Sequence, residues 1–164
     1  MIYPHKRYRR ITDISIQSLI DANIRALILD VDNTLTTHDN PRPGEGVMEW
    51  LASAKDAGIA MMILSNNSAE RIIPFAEMLK LPYESHARKP LTGGYRRACE
   101  RMGVTAKQTA VIGDQLFTDI LGGRLFGAHC ILVDLIEPEN TRFFKFKRAC
   151  ERHLLARYKG GYHG

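Results

Sequence analysis

The sequence predicts an α/β fold built on a mainly parallel sheet of about five strands. Short apolar segments alternate with segments of helical spacing along the 164 residues, as in right-handed βαβ units. The apolar segments lack a polar face, which is expected of strands covered by helices on both sides. No internal repeat or domain boundary is visible, so we expect a single domain over residues 1–164.

Each predicted strand is a short apolar run that ends at polar or turn residues. The first run is apolar and stops abruptly at two carboxylates. The third is short and lies between a helix and a turn. The predicted strands cover about residues 26–30, 59–64, 82–85, 109–112 and 129–133.

The predicted helices follow from capping residues, spacing and glycines. Residues 12–15 can cap a short first helix through Ala22, and Pro74 makes the third helix irregular because it lacks an amide donor. The pair Gly122-Gly123 is costly in the fifth helix unless its backbone closely approaches the sheet. The later helices cover about residues 47–57, the segment up to 80, 94–102, 118–126 and 141–158.

Asp30 and Asp32 follow the first strand directly. Side chains alternate along a strand, so both would project the same way, into the crevice at its carboxyl end where α/β proteins bind ligands. Two carboxylates this close repel unless a proton or cation lies between them. This favours a hard metal ion such as Mg²⁺, held by oxygen ligands. The alternative is that both are turn formers, a common place for Asp.

Chemically useful side chains follow the other strands as well. Ser65 follows the second, Lys89 the third, and Asp114 and Asp119 the fourth. A carboxylate can attack phosphorus, and a metal can orient that attack. A hydroxyl and an ammonium can hold phosphoryl oxygens, while a second carboxylic acid moves the proton. The set therefore fits phosphoryl transfer.

In this order the residues resemble the four motifs of the haloacid dehalogenase (HAD) hydrolases. The motifs stand here as Asp30-Val31-Asp32-Asn33-Thr34, Ser65 after an apolar strand, Lys89-Pro90, and Gly113-Asp114-Gln115-Leu116-Phe117-Thr118-Asp119. The resemblance implies a three-layer Rossmann-like fold. It also implies a Mg²⁺-dependent phosphomonoesterase that works through an aspartyl-phosphate intermediate.

The resemblance implies roles for the three carboxylates nearest the metal. Asp30 would be the nucleophile and a metal ligand. Asp32 would be the general acid and base, and would lend its backbone carbonyl to the metal. Asp114 would be a further ligand. A carboxylate at position 32 favours phosphatase chemistry over other reactions of the superfamily.

The remaining motif residues would surround the phosphoryl group. Ser65 and Lys89 would grip it, with Asn66 as a further phosphate-binding candidate. Asp119 would bind the metal through water or support Lys89, and Thr34 would be a supporting residue. All eight residues are thereby given a place in one catalytic site.

The spacing of the motifs leaves no room for a cap domain. One helix and one strand fill the gap from Asp30 to Ser65, and one helix and a short strand fill the gap from Ser65 to Lys89. We therefore expect an open site. Such a site suits a large or surface-bound substrate, or a homo-oligomer that closes it.

Further segments narrow the resemblance to the YqeG-type phosphatases of subfamily IIIA, over nearly the whole chain. These segments are Ser65-Asn66-Asn67, Ala87-Arg88-Lys89-Pro90, Gly113-Asp114-Gln115-Leu116 and Leu121-Gly122-Gly123. Relatives in this group include phosphatidylglycerophosphate phosphatases, so the implied substrate is phosphatidylglycerophosphate at a membrane surface. The alternatives are a soluble phosphate ester or nucleic-acid phosphate end, and a non-enzymatic partner protein.

Charge is unevenly distributed along the chain. The net charge is +5, with +4 in residues 1–10 and +6 in residues 141–164, so the middle is acidic. Basic ends indicate an anionic surface or polymer as a partner, or else solvated tails. Nucleic acid is the less favoured partner, because no interleaved aromatic platform is visible outside the last helix.

The predicted last helix carries apolar residues at helical spacing with cations between them. One interpretation is that it lies in an anionic bilayer interface; the other is that it packs on the core with a solvated basic back. We expect no catalytic group in it. The apolar positions are Phe143, Phe146, Cys150 and Leu154.

Other features indicate a protein of the cytoplasm, with peripheral attachment to the inner face of the membrane as an option. No apolar run approaches the roughly 20 residues of a membrane span, and no signal segment follows the basic start. The three cysteines are far apart in the sequence, so we expect no disulfide framework. Free thiols fit a reducing compartment. His38 and Arg42 could contact the substrate or be plain loop residues, and Trp50 is expected in the core.

Overall fold

A computed structural model describes residues 2–37, 40–134, 136 and 141–164. The strands of these residues form one parallel sheet in the order β1-β6-β5-β2-β3-β4. The predicted α/β class and the five predicted strands are confirmed, with ends shifted by a residue or two. The strands are β1 (Lys6–Tyr8), β2 (Ala26–Leu29), β3 (Ala60–Leu64), β4 (Tyr83–Glu84), β5 (Thr109–Gly113) and β6 (His129–Val133).

The helices begin and end close to where the sequence predicts. Ser15 caps the first, its hydroxyl accepting a hydrogen bond from the Ser18 amide at 3.2 Å. The predicted helix from residue 118 differs, because a π-helical turn at Leu116–Ile120 precedes it. The helices are α1 (Ile16–Asp21), α2 (Val47–Asp56), α3 (Ala69–Leu79), α4 (Gly93–Met102), α5 (Leu121–Phe126) and α6 (Arg142–Leu155). Within the described residues, none of them has the length and apolar character to span a bilayer.

Strand β1 was not predicted, and it lies inside the basic N-terminal segment. It pairs with β6 at the edge of the sheet, and Tyr8 is buried. Short, charged edge strands lack the apolar pattern by which inner strands are found. The end of the chain folds back over this edge, where the His163 amide donates to the Arg7 carbonyl at 2.8 Å. The basic N-terminal segment is therefore partly built into the sheet.

Apolar side chains cover both faces of the sheet, as a three-layer fold requires. Leu27 and Leu29 face a cluster that includes helices α2 and α3, whereas Ile28 faces a cluster that includes α4. Trp50 lies in the first cluster, as predicted, and its indole Nε1 donates to the Ile14 carbonyl at 2.8 Å. Two buried layers thus hold the sheet rigid beneath its carboxyl edge.

The glycine pair at the start of α5 is explained by close packing, as predicted. A Cβ on Gly123 would lie 2.6 Å from Cys130 Sγ, and one on Gly122 would lie 2.6 Å from the Tyr95 ring. The Tyr95 hydroxyl in turn donates to the Thr118 carbonyl at 3.1 Å. The pair therefore lets α5 sit directly on the sheet and on α4, which sets the position of the turn that precedes it.

Candidate active site

The motif residues meet at the carboxyl edge of the sheet. Leu29 of β2 pairs in register with Ile63 of β3 and with Ile112 of β5. The residues that follow these three strands therefore lie side by side. Strand β4 ends beside β3, which brings Lys89 to the same edge. The motifs, spread over 90 residues of sequence, form one site because neighbouring parallel strands end together.

Lys89 lies between two carboxylates at the centre of the site. Its Nζ donates to Asp30 Oδ1 at 2.7 Å and to Asp119 Oδ1 at 2.6 Å, and its side chain is 4% exposed. Burial alone would lower the pKa of Lys89, but the charges of Asp119 and Asp30 raise it above its usual value. Asn66 holds the Lys89 backbone by two hydrogen bonds, at 2.7 and 3.1 Å. The lysine is thus a fixed cation beside Asp30.

Both oxygens of the Asp119 carboxylate are engaged by protein donors. Oδ1 accepts from Lys89, and Oδ2 accepts from the Gln115 amide at 3.1 Å. A Cβ on Gly113 would lie 2.3 Å from this carboxylate, so a side chain there would displace Asp119. Of the two placements expected for Asp119, these contacts match a support for Lys89.

Three carboxylates are close enough to share a cation. One oxygen from each of Asp30, Asp114 and Asp119 lies within 4.8 Å of the others. Asp114 Oδ1 is buried and has no hydrogen-bond partner within the described part of the chain. An all-oxygen donor set with one unsatisfied buried carboxylate oxygen fits a hard divalent metal.

Burial raises the pKa of two of these carboxylates, Asp30 and Asp114. Burial, followed by the charge of Asp119, raises the pKa of Asp30 to about 6, although Lys89 opposes the change. Burial and the charge of Asp30 raise the pKa of Asp114 well above its usual value, with Arg148 opposing. Without a metal ion, Asp30 and Asp114 therefore bind protons more readily than an ordinary aspartate does.

We expect charged Asp30 to destabilise the metal-free protein at neutral pH. A pKa raised on folding gives stability that is complete below the unfolded value of 3.8 and is lost as pH rises through about 6. The difference corresponds to roughly 3 kcal/mol at most. In EDTA, the melting temperature of Asp30→Asn should therefore lie above that of the wild type at pH 7.5, and this gap in melting temperature should shrink at pH 5. Calorimetric melting at both pH values measures it; a gap independent of pH would contradict this account.

Ser65 lies at the end of β3, beside the cluster. Its hydroxyl is buried and accepts from the Asn67 amide at 3.1 Å. Backbone hydrogen bonds tie this turn to the loop before Lys89, since the Ala87 amide donates to the Ser65 carbonyl at 2.9 Å. Ser65, Asn66 and Lys89 therefore line one cavity together with Asp30 and Asp32.

Asp32 has partners that sequence reasoning missed. Arg71 of α3 donates from Nη2 to Asp32 Oδ1 at 2.7 Å, and Asn67 Nδ2 donates to Oδ2. Asn67 stands in a recognised motif segment, but nothing in the spacing of α3 distinguishes Arg71 from a surface arginine. These two residues orient the carboxylate at the rim of the cavity.

Three candidates lie away from the cavity or outside the described residues. Thr34 is buried in the turn behind Asp32, and its hydroxyl has no partner within residues the structure describes. Arg42 is exposed, and it does not line the cavity; its carbonyl accepts from the Thr36 hydroxyl. His38 lies outside the described residues.

No cap domain is found among the described residues, as predicted, but the last helix borders the cavity. Its volume is about 250 Å³, and Phe143, Phe144 and Lys147 of α6 form one wall. Lys147 Nζ donates to Gln115 Oε1. The last helix therefore contributes side chains to the wall of the cavity, which the sequence did not predict; that it carries no catalytic group stays a prediction. These residues lie 24 to 28 positions beyond Asp119, the end of the last motif, so only the fold brings them there.

The packing of α6 also differs from what its apolar spacing indicates. Phe143 and Phe146 are 71% and 70% exposed, while the residue that α6 buries is Glu151. Glu151 Oε1 accepts from the Leu116 amide at 3.0 Å, and so satisfies the start of the π-helical turn. Glu151 thus ties α6 to the turn after Asp114 while the two phenylalanines face outward; Leu154, another of the predicted apolar positions, packs against the core.

Known proteins are similar in sequence to most of this chain. Residues 1–72 match a family model described as mitochondrial PGP phosphatase, and residues 86–135 match one described as HAD-hydrolase-like. The probable phosphatase YqeG of Bacillus subtilis (strain 168) is 36% identical over 156 residues, which cover 95% of this chain and 91% of that protein.

Solved structures agree on the fold. A 3-deoxy-D-manno-octulosonate 8-phosphate phosphatase from Yersinia pestis aligns with a TM-score of 0.54 and 20% identity, covering 90% of this chain and 88% of that one. An uncharacterized protein from Listeria monocytogenes serotype 4b aligns with a TM-score of 0.59 and 16% identity, covering 72% of this chain and 85% of that one. The identity to YqeG and the family models show that this chain belongs to the HAD superfamily as a phosphatase of the YqeG type.

Proposed function

We propose that this phosphatase removes the terminal phosphate of phosphatidylglycerophosphate at an anionic membrane surface, as a Mg²⁺-dependent member of subfamily IIIA. The observation that carries the catalytic part is the contact of one buried lysine with Asp30 and Asp119, beside the unpartnered oxygen of Asp114. This arrangement supplies a nucleophile, a fixed cation and a metal ligand within one hydrogen-bonded cluster.

The reaction follows from the chemistry of these side chains. Asp30 attacks phosphorus and forms an aspartyl-phosphate as the phosphorus–oxygen bond to the leaving alcohol breaks. Asp32 gives its proton to the leaving oxygen, then takes one from the water that attacks the acyl-phosphate. Water adds to phosphorus, and its attack restores the Asp30 carboxylate and releases inorganic phosphate.

Other residues stabilise charge on the transferring group. Ser65, Asn66 and Lys89 hold phosphoryl oxygens, and Asp119 keeps the lysine in place. Asp30, the backbone carbonyl of Asp32 and Asp114 would hold Mg²⁺. When bound, the metal neutralises the nucleophile and a phosphoryl oxygen and orients in-line attack.

The substrate class rests on three supports. The family model that matches residues 1–72 is that of a phosphatidylglycerophosphate phosphatase. No cap covers the cavity among the residues that the structure describes, so a phosphate attached to a bulky surface can reach it. The wall of the cavity belongs to α6, whose outward face combines exposed Phe146 with the cations Arg142 and Lys145. Aromatic and cationic side chains together favour an anionic bilayer interface.

One assay tests substrate and surface together. We expect phosphate release from phosphatidylglycerophosphate in anionic vesicles to depend on Mg²⁺ and to exceed release from soluble sugar phosphates and nucleic-acid ends by at least about tenfold. Replacing Arg142, Lys145 and Phe146 by Gln should lower lipid hydrolysis by about tenfold or more, because each cation near such a surface contributes about 1 kcal/mol. Hydrolysis of a soluble aryl phosphate should be unchanged.

The control variant carries Lys55→Gln and Lys107→Gln, which remove the same charge at the opposite edge of the sheet. It should hydrolyse vesicle-borne lipid like the wild type. The substitutions leave Arg148 intact because it contacts Asp114. Faster hydrolysis of nucleic-acid ends or of a sugar phosphate would contradict the lipid proposal. Equal losses of lipid hydrolysis in both variants would contradict the proposed membrane-binding surface.

A further inference from the structure

We propose that Arg148 is a positioning residue: it fixes the Asp114 carboxylate so that one oxygen remains for the divalent metal. The inference rests on the metal-dependent part of the proposed function and is independent of the substrate. It assigns α6 a part in building the metal site, in addition to forming a wall of the cavity.

Arg148 binds Asp114 at two points. Its Nη1 donates to the Asp114 backbone carbonyl at 2.7 Å, and its Nη2 donates to the Oδ2 oxygen. A guanidinium is planar, so contacts from both of its terminal nitrogens fix the orientation of side chain and backbone together. The other carboxylate oxygen, Oδ1, is left without a hydrogen-bond partner in the described chain. With Oδ2 held by Arg148 and Oδ1 left without a partner, the carboxylate is arranged to bind a metal through one oxygen.

Glu151 holds the arginine from the other side. Its Oε2 accepts from Arg148 Nη1 at 2.9 Å, while its Oε1 accepts from the Leu116 amide at 3.0 Å and the Phe117 amide at 3.4 Å. These amides follow Asp114 by only two and three residues. Arg148 and Glu151 therefore clamp the segment that carries the ligand.

The clamp is buried, which distinguishes it from an ordinary surface ion pair. The side chains of Arg148, Glu151 and Asp114 are 16%, 4% and 0% exposed. Leu154 and Leu155 of α6 pack against the core, but the residue that the helix buries most fully is Glu151, and Phe143 and Phe146 are exposed. The rotation of α6 thus serves a contact with the metal-binding segment. Groups that orient metal ligands in this way typically change metal affinity by about 10–100-fold when removed.

The geometry and the charge of Arg148 predict opposite effects on metal binding. A positive charge beside Asp114 repels a divalent cation, so removing it would tighten binding if charge were its main effect. If orientation dominates, binding weakens. Arg148→Lys separates the two effects, because a lysine keeps the charge but cannot make the same two-point contact.

The experiment measures Mn²⁺ affinity by calorimetry and electron paramagnetic resonance, without substrate, in the full chain. We expect Arg148→Met and Arg148→Lys each to weaken Mn²⁺ binding by about 10–100-fold. Arg152→Met, which removes an exposed arginine one turn further along α6, should bind like the wild type. Circular dichroism at the binding temperature establishes that each variant is folded. If Arg148→Met does not fold, Arg148→Lys and Glu151→Gln decide the question.

The outcomes separate this inference from the proposed function. Unchanged or tighter binding by both Arg148 variants, with a wild type that binds Mn²⁺, would overturn the positioning role alone. A wild type that binds no Mn²⁺ at millimolar concentration would overturn the metal-dependent function, and this inference with it. If the protein does not hydrolyse phosphatidylglycerophosphate, the Mn²⁺-binding result still stands, since that measurement contains no substrate.

Discussion

Asp30→Asn should reduce turnover of every phosphate ester by at least about three orders of magnitude, which raises the activation barrier by about 4 kcal/mol. The amide cannot attack phosphorus, and the substitution also removes an anionic metal ligand. The shape of the side chain is nearly preserved. Lys89 keeps its contact with Asp119 at 2.6 Å, so the fold should survive. Phosphate release with Mg²⁺ present measures the effect, beside circular dichroism of the same sample.

A matched control removes a carboxylate far from the site. Asp56 is exposed at the end of α2, so Asp56→Asn should retain wild-type turnover. Acid quenching during turnover should trap phosphate on the wild type and on the Asp56 variant, and none on the Asp30 variant. Near-normal turnover by Asp30→Asn with the metal present would exclude the covalent mechanism.

Asp32→Asn should distinguish substrates by their leaving groups. With an alkyl phosphate the leaving oxygen needs a proton, so the loss should be about 10²–10⁴-fold, the usual contribution of general acid catalysis. With an activated aryl phosphate, formation of the aspartyl-phosphate should be nearly unaffected, because the phenolate leaves without a proton. Hydrolysis of the intermediate still needs the base. Rapid mixing should therefore show a burst of phenolate close to one per enzyme, followed by slow turnover.

Arg71→Gln provides a graded comparison for this prediction. The arginine holds Asp32 Oδ1 at 2.7 Å, so its loss leaves the acid present but less well oriented. We expect the same leaving-group dependence with a smaller loss. Equal losses on alkyl and aryl phosphates for Asp32→Asn, without a burst, would show that Asp32 does not act as the acid.

The inner sheet and the grouping of the motifs could be read from local patterns. An inner parallel strand must be apolar on both faces, so β2, β3, β5 and β6 stand out in the sequence. The predicted close approach of Gly122 and Gly123 is likewise confirmed, because a helix glycine is costly without a packing reason. Neighbouring parallel strands end at the same edge of the sheet, so the residues that follow them were predicted to lie close together. Asp30, Ser65 and Asp114 do lie at that edge.

Other features depend on contacts that local patterns do not record. Strand β1 is three residues long and charged, and it is a strand only because β6 lies beside it. Arg71 resembles any helix arginine until the fold brings it to Asp32. The two phenylalanines of α6 have the spacing of a buried stripe, but they are exposed in a helix whose polar residues, among them Arg148 and Glu151, contact the segment after β5.

The sequence by itself determined the fold class, the absence of room for a cap, and the set of candidate catalytic side chains, because periodicity and strand-end chemistry are local properties. Only the tertiary structure decided which charges face one another. It placed Lys89 between Asp30 and Asp119, and Arg148 against Asp114 from 34 residues away. Ion pairs across such separations depend on how helices pack on the sheet, and packing depends on the shape of the whole core rather than on any one segment.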